Sequence, residues 1–391
     1  MIYVGIDVAK DKHDCLIVDS DGVIIFQKFT IPNNKQGFDQ LLTNLKTCGS
    51  DSSKMKVGLE ATGHYSDNLL EFLISNDLPT TVINPLHTNL YRKSLSLRKT
   101  KTDTVDALSI ATMLRTESLE PYSQSSYQVR ELKSLTRYRF SLVQDCSRLK
   151  TSYARLCVIL FPELEKLVSS LHMASVHALL SELPNAAVIS KCHLTKLTNL
   201  LSTSSKGRYG KEKAVEIRNA AKDSVGSYSD VKSLELQQTI QMIRLMEDQI
   251  KQIEGKINPI IDVLQSPIMT IPGISYRMAA IIIAETENFN NFNSAEKVLA
   301  FAGLEPSVYQ SGQLTSTHSK MVKRGSKYLR YAIFNATKYV CHWDKGFGQY
   351  LSKKRTAEGK AYNVAVSHAA KKLTRVIFHL VKTNQPFVSQ A

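Results

Sequence analysis

The stretch IYVGIDV (residues 2–8) decides the fold prediction. It is a short apolar run of the kind that forms a buried β-strand, and it carries one carboxylate, Asp7, inside that run. Two further strand-like runs follow at 13–20 and 23–30, and the turn sequence DSDG joins them. This spacing predicts three consecutive strands, of which the last two are antiparallel neighbours.

Helical and extended patterns then alternate as far as residue 115. The predicted elements are a helix at 35–47, a strand at 54–60, a helix at 65–76, a strand at 79–85 and a helix at 103–115. A three-stranded meander followed by crossover units predicts an α/β domain with a mixed sheet and helices on its faces.

The remainder of the chain is predicted to be mostly helical. Aliphatic residues recur at spacings of three and four over 236–260, which predicts a coiled coil or a long helical hairpin with 128–160 as its second helix. Pairing between two chains is the alternative. The polar stretch at 202–213 contains glycine and predicts a loop or linker. The segment 266–285 predicts a helix-turn-helix with Pro272-Gly273 in its turn.

Three domains follow from these patterns. We predict an α/β domain at 1–125, a helical coiled-coil or linker region at 126–262 and an all-α domain at 263–391.

The charge balance favours a polyanionic partner. The chain has 391 residues with 50 Lys and Arg against 35 Asp and Glu, a net charge of +15. Such an excess favours nucleic acid over an acidic membrane surface, although a basic protein without a specific partner is the alternative. The six cysteines include no C-x-x-C pair, which argues against both a zinc knuckle and a disulfide framework. Without a signal-peptide pattern or a long apolar run, we expect a soluble protein of the bacterial cytoplasm, associated with the nucleoid.

Four carboxylates occupy positions that suit phosphoryl transfer. Asp7 and Glu60 lie at the ends of two predicted strands, and Asp103 and Asp106 lie one turn apart on one face of a predicted helix. Clustered carboxylates repel each other unless a cation lies between them, and Mg²⁺ prefers such hard oxygen ligands. Alternatively, Asp7 bonds to backbone amides, and Asp103 or Asp106 caps its helix or complements its dipole.

A serine and a run of cations mark the last third. Ser311 precedes Gly312 in YQSGQ, where a phosphate could approach the backbone, although a serine in such a loop is usually only a loop residue. We predict phosphate contacts at the five cations that follow and at three that precede Asp103, namely Lys320, Lys323, Arg324, Lys327, Arg330, Arg98, Lys99 and Lys101. The turn IPGIS (271–275) would offer backbone amides to a further phosphate, or belong to an ordinary helical hairpin.

These residues together resemble a known family. GIDVAKDKHD, LEATGHY, VINP and KTDTVDA, followed by IPGIS, AFAGLEPS, YQSG and KRGSKYLRYA, are similar to motifs of the DEDD transposases of the insertion sequence 110 family. Piv-type DNA invertases are relatives of that family. The resemblance covers roughly residues 2–115 and 265–385, and the region at about 120–260 carries no matching motif.

The resemblance implies a fold, a site and partners. It implies a RuvC-like domain of ribonuclease H fold, a coiled-coil connection and a helical transposase domain. Its metal-binding tetrad falls on Asp7, Glu60, Asp103 and Asp106, and its nucleophile falls on Ser311. Serine would attack a DNA phosphodiester and form a covalent phosphoserine, with Mg²⁺, or alternatively Mn²⁺, at the tetrad. DNA, a structured noncoding guide RNA and a homodimer or tetramer would be the partners.

Two departures and three alternatives accompany this resemblance. Val322 stands where many members have serine, and Ser275 replaces the second glycine of a P-G-I-G turn. The alternatives are a RuvC-like nuclease with a structural Ser311, a Piv-like invertase without a guide RNA, and a nucleic-acid-binding scaffold with structural carboxylates.

Overall fold

The computed structural model describes residues 1–49, 51–61, 63–95, 103–119, 121–122, 127–306, 310–311, 314–315 and 321–389. The side chains of Leu95, Asp103, Tyr127, Gln310, Ser311, Leu314 and Thr315 are outside this description. The chain divides into two compact units, unit 1 at Met1–Gln124 and unit 2 at Ser125–Ala391. Among the described residues, no helix has the length and apolar character needed to cross a membrane.

Unit 1 contains a five-stranded mixed sheet in the order β3-β2-β1-β4-β5. Its strands are β1 (Ile2–Val8), β2 (Lys12–Val18), β3 (Ile24–Pro32), β4 (Met55–Glu60) and β5 (Thr80–Ile83). The first three strands form an antiparallel meander; β4 pairs in parallel with β1, and β5 pairs in parallel with β4. The predicted α/β class and mixed sheet are therefore confirmed.

Four helices flank this sheet, and the sequence prediction missed one of them. They are α1 (Lys35–Cys48), α2 (Asp67–Ser75), α3 (Pro85–Leu95) and α4 (Asp103–Thr116). The predicted element order lacked α3, because the exposed Leu86 and Leu90 give it no buried apolar stripe. Its start signals are local: Asn84 Oδ1 accepts from the Leu86 amide at 2.9 Å, and Pro85 occupies the first helical position.

Two glycines bring α4 directly onto the sheet. Gly5 of β1 and Gly58 of β4 are partners in the strand register. A Cβ atom on Gly5 would stand 2.0 Å from the Ala107 carbonyl oxygen, and one on Gly58 would stand 2.7 Å from Leu114 Cδ1. Only glycine at both positions therefore allows the helix to approach so closely. This contact places the first turn of α4 beside the ends of β1 and β4.

Unit 2 is built on two long helices, α5 (Tyr127–Leu160) and, after five shorter helices, α11 (Asp230–Leu264). They pack against each other along much of their length, and ion pairs Arg139–Glu254, Lys150–Glu247 and Arg155–Glu235 show that they run antiparallel. The predicted hairpin of 128–160 with 236–260 is thus confirmed, and its two helices pair within one chain.

The helices between α5 and α11 are α6 (Leu164–Leu167), α7 (Ala174–Glu182), α8 (Ala186–Lys191), α9 (Leu194–Ser204) and α10 (Lys211–Lys222). They share an apolar core with the facing ends of the two long helices. The predicted loop at 202–213 was too long, because α9 continues to Ser204 and α10 begins at Lys211. The buried Leu201 and Ala214 on either side explain why both helices extend into this polar stretch.

The last part of unit 2 contains α12 (Tyr276–Thr286), α13 (Ala295–Ala302), α14 (Lys327–Trp343), α15 (Lys345–Thr356) and α16 (Tyr362–Thr383). A two-stranded hairpin, β6 (Gln310–Ser311) and β7 (Leu314–Thr315), precedes α14.

The predicted helix-turn-helix at 266–285 is only half helical. One 3-10 turn, Pro267–Thr270, precedes the Pro272-Gly273 turn, and α12 follows it. Gly273 has φ +88°, and a Cβ atom there would lie 2.7 Å from the backbone carbonyl of Tyr339. The turn therefore packs against the backbone of α14, which needs glycine for both the conformation and the contact.

Candidate active site

The first two predicted carboxylates follow neighbouring parallel strands. Ile6 of β1 pairs with Leu59 of β4, so Asp7 and Glu60 occupy successive positions at the same edge of the sheet. Both side chains are partly buried. The carboxyl ends of parallel strands are where α/β sheets bind ligands, because the chain leaves the sheet there and opens a crevice.

The third and fourth carboxylates belong to the first turn of α4. Asp103 is the first residue of the helix and Asp106 lies one turn later. Asp106 and Glu60 line one cleft of about 260 Å³, together with Asn89, Arg92 and Ser109. The structure therefore brings Glu60 and Asp106 together, with Asp7 at the adjacent strand end.

Arg92 of α3 is a site residue that the sequence prediction missed. Its Nη1 donates to Asp106 Oδ1 at 2.6 Å, and its Nη2 donates to Asn89 Oδ1 at 3.1 Å. The Arg92 side chain is 25% exposed and that of Asp106 is 14% exposed, so the pair is largely shielded from solvent. No spacing within one element connects Arg92 with Asp106, because the two residues lie on different helices.

Asp14 is a second missed carboxylate, and it lies directly opposite Asp7 in the β1–β2 ladder. Like charges at such a position repel each other unless a cation compensates them. Lys28 Nζ lies 3.1 Å from Asp14, Lys12 Nζ lies 3.6 Å from it, and the Thr30 hydroxyl donates to it at 2.5 Å. Burial raises the pKa of Asp14, but the hydrogen bonds from Thr30 and Lys28 outweigh it and the net pKa is lowered. Asp14 is therefore a neutralised neighbour of the site.

The donor set suits a hard divalent cation. Among the side chains that the structure describes, no three His, Cys, Asp or Glu residues come together closely enough to hold a metal ion. The side chain of Asp103 lies outside that description. The carboxylates that do share the cleft, Glu60 and Asp106, offer only oxygen atoms, which Mg²⁺ prefers and which soft metals do not.

Ser311 lies in unit 2, in a hairpin that the sequence prediction treated as a loop. Gln310–Ser311 forms β6, and Ser311 pairs with Leu314 of β7. Gly312 and Lys320 lie outside the described residues. The predicted phosphate contacts Arg98, Lys99 and Lys101 also lie outside them.

The remaining basic residues lie in the turn before α14 or in the first turn of that helix. Lys323, Arg324 and Lys327 are exposed, which suits contact with phosphate groups. Arg330 differs from them, because its Nη1 donates to the carbonyl oxygens of Ala302 at 3.0 Å and Lys323 at 3.1 Å. These bonds tie α14 to the turn that carries Lys323 and Arg324, next to Lys327 at the start of the helix.

A buried glutamate anchors the start of α14 and was not predicted. Glu285 of α12 accepts two hydrogen bonds from Arg137, at 2.7 and 3.0 Å, and one from the Ser326 hydroxyl at 2.6 Å. Ser326 also caps α14 by accepting from the Leu329 amide. Burial raises the pKa of Glu285, but the hydrogen bonds from Arg137 and Ser326 outweigh it and lower the net pKa. The sequence signal is a lone glutamate in the apolar run AAIIIAET.

Comparisons with known proteins place these features in a family context. A transposase family model of the DEDD type of insertion sequence IS110 matches residues 4–162, and the model "Transposase IS116/IS110/IS902 family" matches residues 265–352. Together these two models cover more than half of the chain.

Full-length relatives and one solved structure are also similar. The pilin gene-inverting protein of Moraxella lacunata is 24% identical over 98% of this chain and 97% of its own. The 43.6 kDa protein of insertion element IS110 from Streptomyces coelicolor is 24% identical over 97% of this chain and 94% of its own. The structure of T. thermophilus RuvC with a Holliday junction substrate covers 31% of this chain and 100% of its own, with 13% identity and a TM-score of 0.24.

Proposed function

Because the chain belongs to the IS116/IS110/IS902 family of transposases, which are DNA recombinases, we propose that Ser311 attacks a DNA phosphodiester while a carboxylate site holds Mg²⁺. Asp7, Glu60, Asp103 and Asp106 are the proposed ligands. The observation that carries this proposal is the cleft of about 260 Å³ in which Glu60 and Asp106 meet, next to the strand end that bears Asp7.

The proposed reaction transfers a phosphoryl linkage to serine and back. The Ser311 hydroxyl loses its proton as its oxygen bonds to phosphorus, and the bond from phosphorus to the leaving sugar oxygen breaks as that oxygen takes up a proton. A hydroxyl of the partner DNA strand then attacks the phosphoserine, and the released serine oxygen is reprotonated. A bound divalent cation supplies Lewis-acid stabilisation of charge on the phosphate oxygens.

The residues around the site have supporting roles in this proposal. The carboxylates of Glu60 and Asp106 would hold the cation, and Arg92 orients Asp106 through their short ion pair. The exposed Lys323, Arg324 and Lys327 bind DNA backbone phosphates near the turn before α14. Element ends and target DNA are the proposed substrates, a structured noncoding RNA the proposed guide, and a dimer or tetramer the proposed assembly.

A covalent adduct tests the proposal. The purified protein is incubated with DNA from its element ends, the flanking noncoding RNA and Mg²⁺, and protein–DNA adducts that disappear on protease treatment are measured. We expect an adduct with the native protein, and none with Ser311→Ala, with Asp106→Ala or after chelation of the metal. Ser352→Ala, which changes an exposed serine of α15, is the matched control and should form the adduct normally.

Other outcomes select the alternatives. Cleavage that persists in Ser311→Ala without any adduct would replace the serine mechanism with metal-dependent hydrolysis. Tight binding without cleavage, adduct or metal dependence would indicate a scaffold. Recombination of equal rate with and without the RNA would remove the guide from the proposal.

A further inference from the structure

One face of α14 carries a row of three aromatic residues and one asparagine that the proposed reaction does not use. Tyr331, Asn335, Tyr339 and Trp343 follow each other at intervals of four residues, and all four line one open cleft of about 530 Å³. Tyr339 is 58% exposed and Trp343 is 67% exposed. Large aromatic side chains gain most free energy by burial, so two adjacent ones left in solvent indicate a surface that a ligand covers.

The opposite wall of this cleft is basic. Arg139 and Arg277 line it, together with Gly273 and Ser275 of the turn before α12. Glu254 lies 2.6 Å from Arg139 and 3.6 Å from Arg277, so these two cations face one carboxylate and the wall keeps a positive charge. The Arg277 side chain is 51% exposed and can reach a ligand in the cleft.

The dimensions suit a short stretch of a polymer strand. Tyr331 and Trp343 are twelve positions apart, which corresponds to about 18 Å along the helix. Exposed aromatic rings beside guanidinium groups form the combination that binds unpaired nucleotides, because the rings stack on bases of any sequence and the cations neutralise phosphates. A duplex offers no free base face to the same rings.

We propose that this aromatic cleft, lined by Tyr331, Asn335, Tyr339, Trp343, Arg139 and Arg277, binds unpaired nucleotides of a DNA strand. The inference rests on the proposed function only in that a recombinase exposes single-stranded DNA when it opens its substrate. Net charge of +15 and membership in a DNA transposase family favour DNA as the occupant over a protein partner. Tyr339 and Trp343 supply the stacking surface, and Arg277 contacts the backbone.

The chain provides its own reporter for this site. Trp343 is the only tryptophan of the 391 residues, so the tryptophan emission of the full-length protein comes from the aromatic cleft alone. The emission is followed during titration with a single-stranded DNA oligonucleotide, with the duplex of the same sequence and with the corresponding single-stranded RNA. We expect quenching by single-stranded DNA at lower concentrations than by either other probe.

Two variants test which groups carry the binding. Tyr339→Ala should weaken single-stranded DNA binding about tenfold, the usual effect of losing one stacked base, with duplex binding unchanged. Arg277→Ala should weaken it and reduce its dependence on salt. Tyr228→Ala is the matched control, because Tyr228 is 67% exposed, comparable to the 58% of Tyr339, but lies before α11 and does not line the cleft; this variant should bind normally.

Unchanged Trp343 emission on saturation with single-stranded DNA would overturn the proposal, as would equal quenching by the duplex. Stronger quenching by RNA would reassign the cleft to RNA. This measurement needs neither metal nor Ser311, so single-stranded DNA should quench the Trp343 emission of Ser311→Ala as it does that of the native protein. Failure of the adduct experiment and failure of the stacking experiment are therefore distinguishable.

Discussion

Asp106 of unit 1 and Glu285 of unit 2 are each paired with an arginine, but the two carboxylates differ in their other neighbours and in burial. The Glu285 side chain is 1% exposed, and Arg137 and Ser326 supply three hydrogen bonds to its two oxygens. In unit 1, Glu60 and Asp106 meet in an open cleft whose described cation is Arg92, and Asp7 ends the adjacent strand.

Under the proposed function, the difference separates an acid that stabilises the fold from one that takes part in the reaction. Burial of a charge is tolerated when its partners neutralise it, and Glu285 meets this condition within the protein. Glu60 and Asp106 share a cleft, and the divalent cation that we propose there would compensate their charge when bound. Glu285 is therefore expected to act on stability, and Asp106 on activity.

The largest expected effect belongs to Asp106→Asn. Loss of one proposed metal ligand should lower DNA cleavage by about three orders of magnitude, since a metal ion contributes several kcal/mol to such reactions. The melting temperature should change little, because the asparagine side chain keeps an oxygen that can accept the hydrogen bond from Arg92. Cleavage assays and thermal unfolding followed by circular dichroism measure the two effects.

Asp39→Asn, on the exposed face of α1, is the control for that substitution and should cleave DNA normally. Cleavage by Asp106→Asn at the native rate would contradict the proposed role of Asp106 in the reaction, and with it the distinction from Glu285.

Glu285→Ala should have a smaller effect, and on stability rather than on DNA cleavage. Removal of the carboxylate leaves Arg137 without its partner and Ser326 without one of its hydrogen bonds, which should cost about 3 kcal/mol of unfolding free energy. Chemical denaturation measures this change.

The exposed pair of Glu296 with Arg375 offers a matched comparison within unit 2, at 3.0 Å and with both side chains about half exposed. Glu296→Ala should leave the denaturation midpoint nearly unchanged, because solvent already screens that pair. Equal losses of unfolding free energy in Glu285→Ala and Glu296→Ala would show that burial does not determine how much the Glu285 contacts stabilise the protein.

The smallest effect is a pH dependence of the same site. The folded-state pKa of Glu285 lies below the 4.5 of an unperturbed glutamate, so its stabilisation is complete above that pH and is lost as the pH falls through the lowered value. Denaturation of the native protein and of Glu285→Gln between pH 7 and pH 3 should show a stability difference that shrinks only below about 4.5. A difference that is constant over this range would contradict the assignment.

Much of the fold was predictable from local pattern. Short strand-like runs identified all five strands of unit 1, and the three- and four-residue spacing over 236–260 identified the long hairpin. Helix α3 escaped because its apolar residues stay exposed, and β6 escaped because two residues carry no periodicity. Motif resemblance, rather than periodicity, singled out Ser311, and its role stays a proposal.

The sequence alone determined the five strands of unit 1, the long helical hairpin, the basic character of the chain and the presence of Asp7, Glu60, Asp103 and Asp106 at element ends. These properties depend on neighbours within a few residues.

Only the tertiary structure decided which groups meet. It placed Arg92 on Asp106, Asp14 opposite Asp7 and Arg137 on Glu285, and it left Tyr339 and Trp343 in solvent. These outcomes depend on packing between distant segments, such as the approach of α4 over Gly5 and Gly58, and on the burial that follows from it. Local composition carries no information on either, because the energy of a charge or a ring depends on what surrounds it in space.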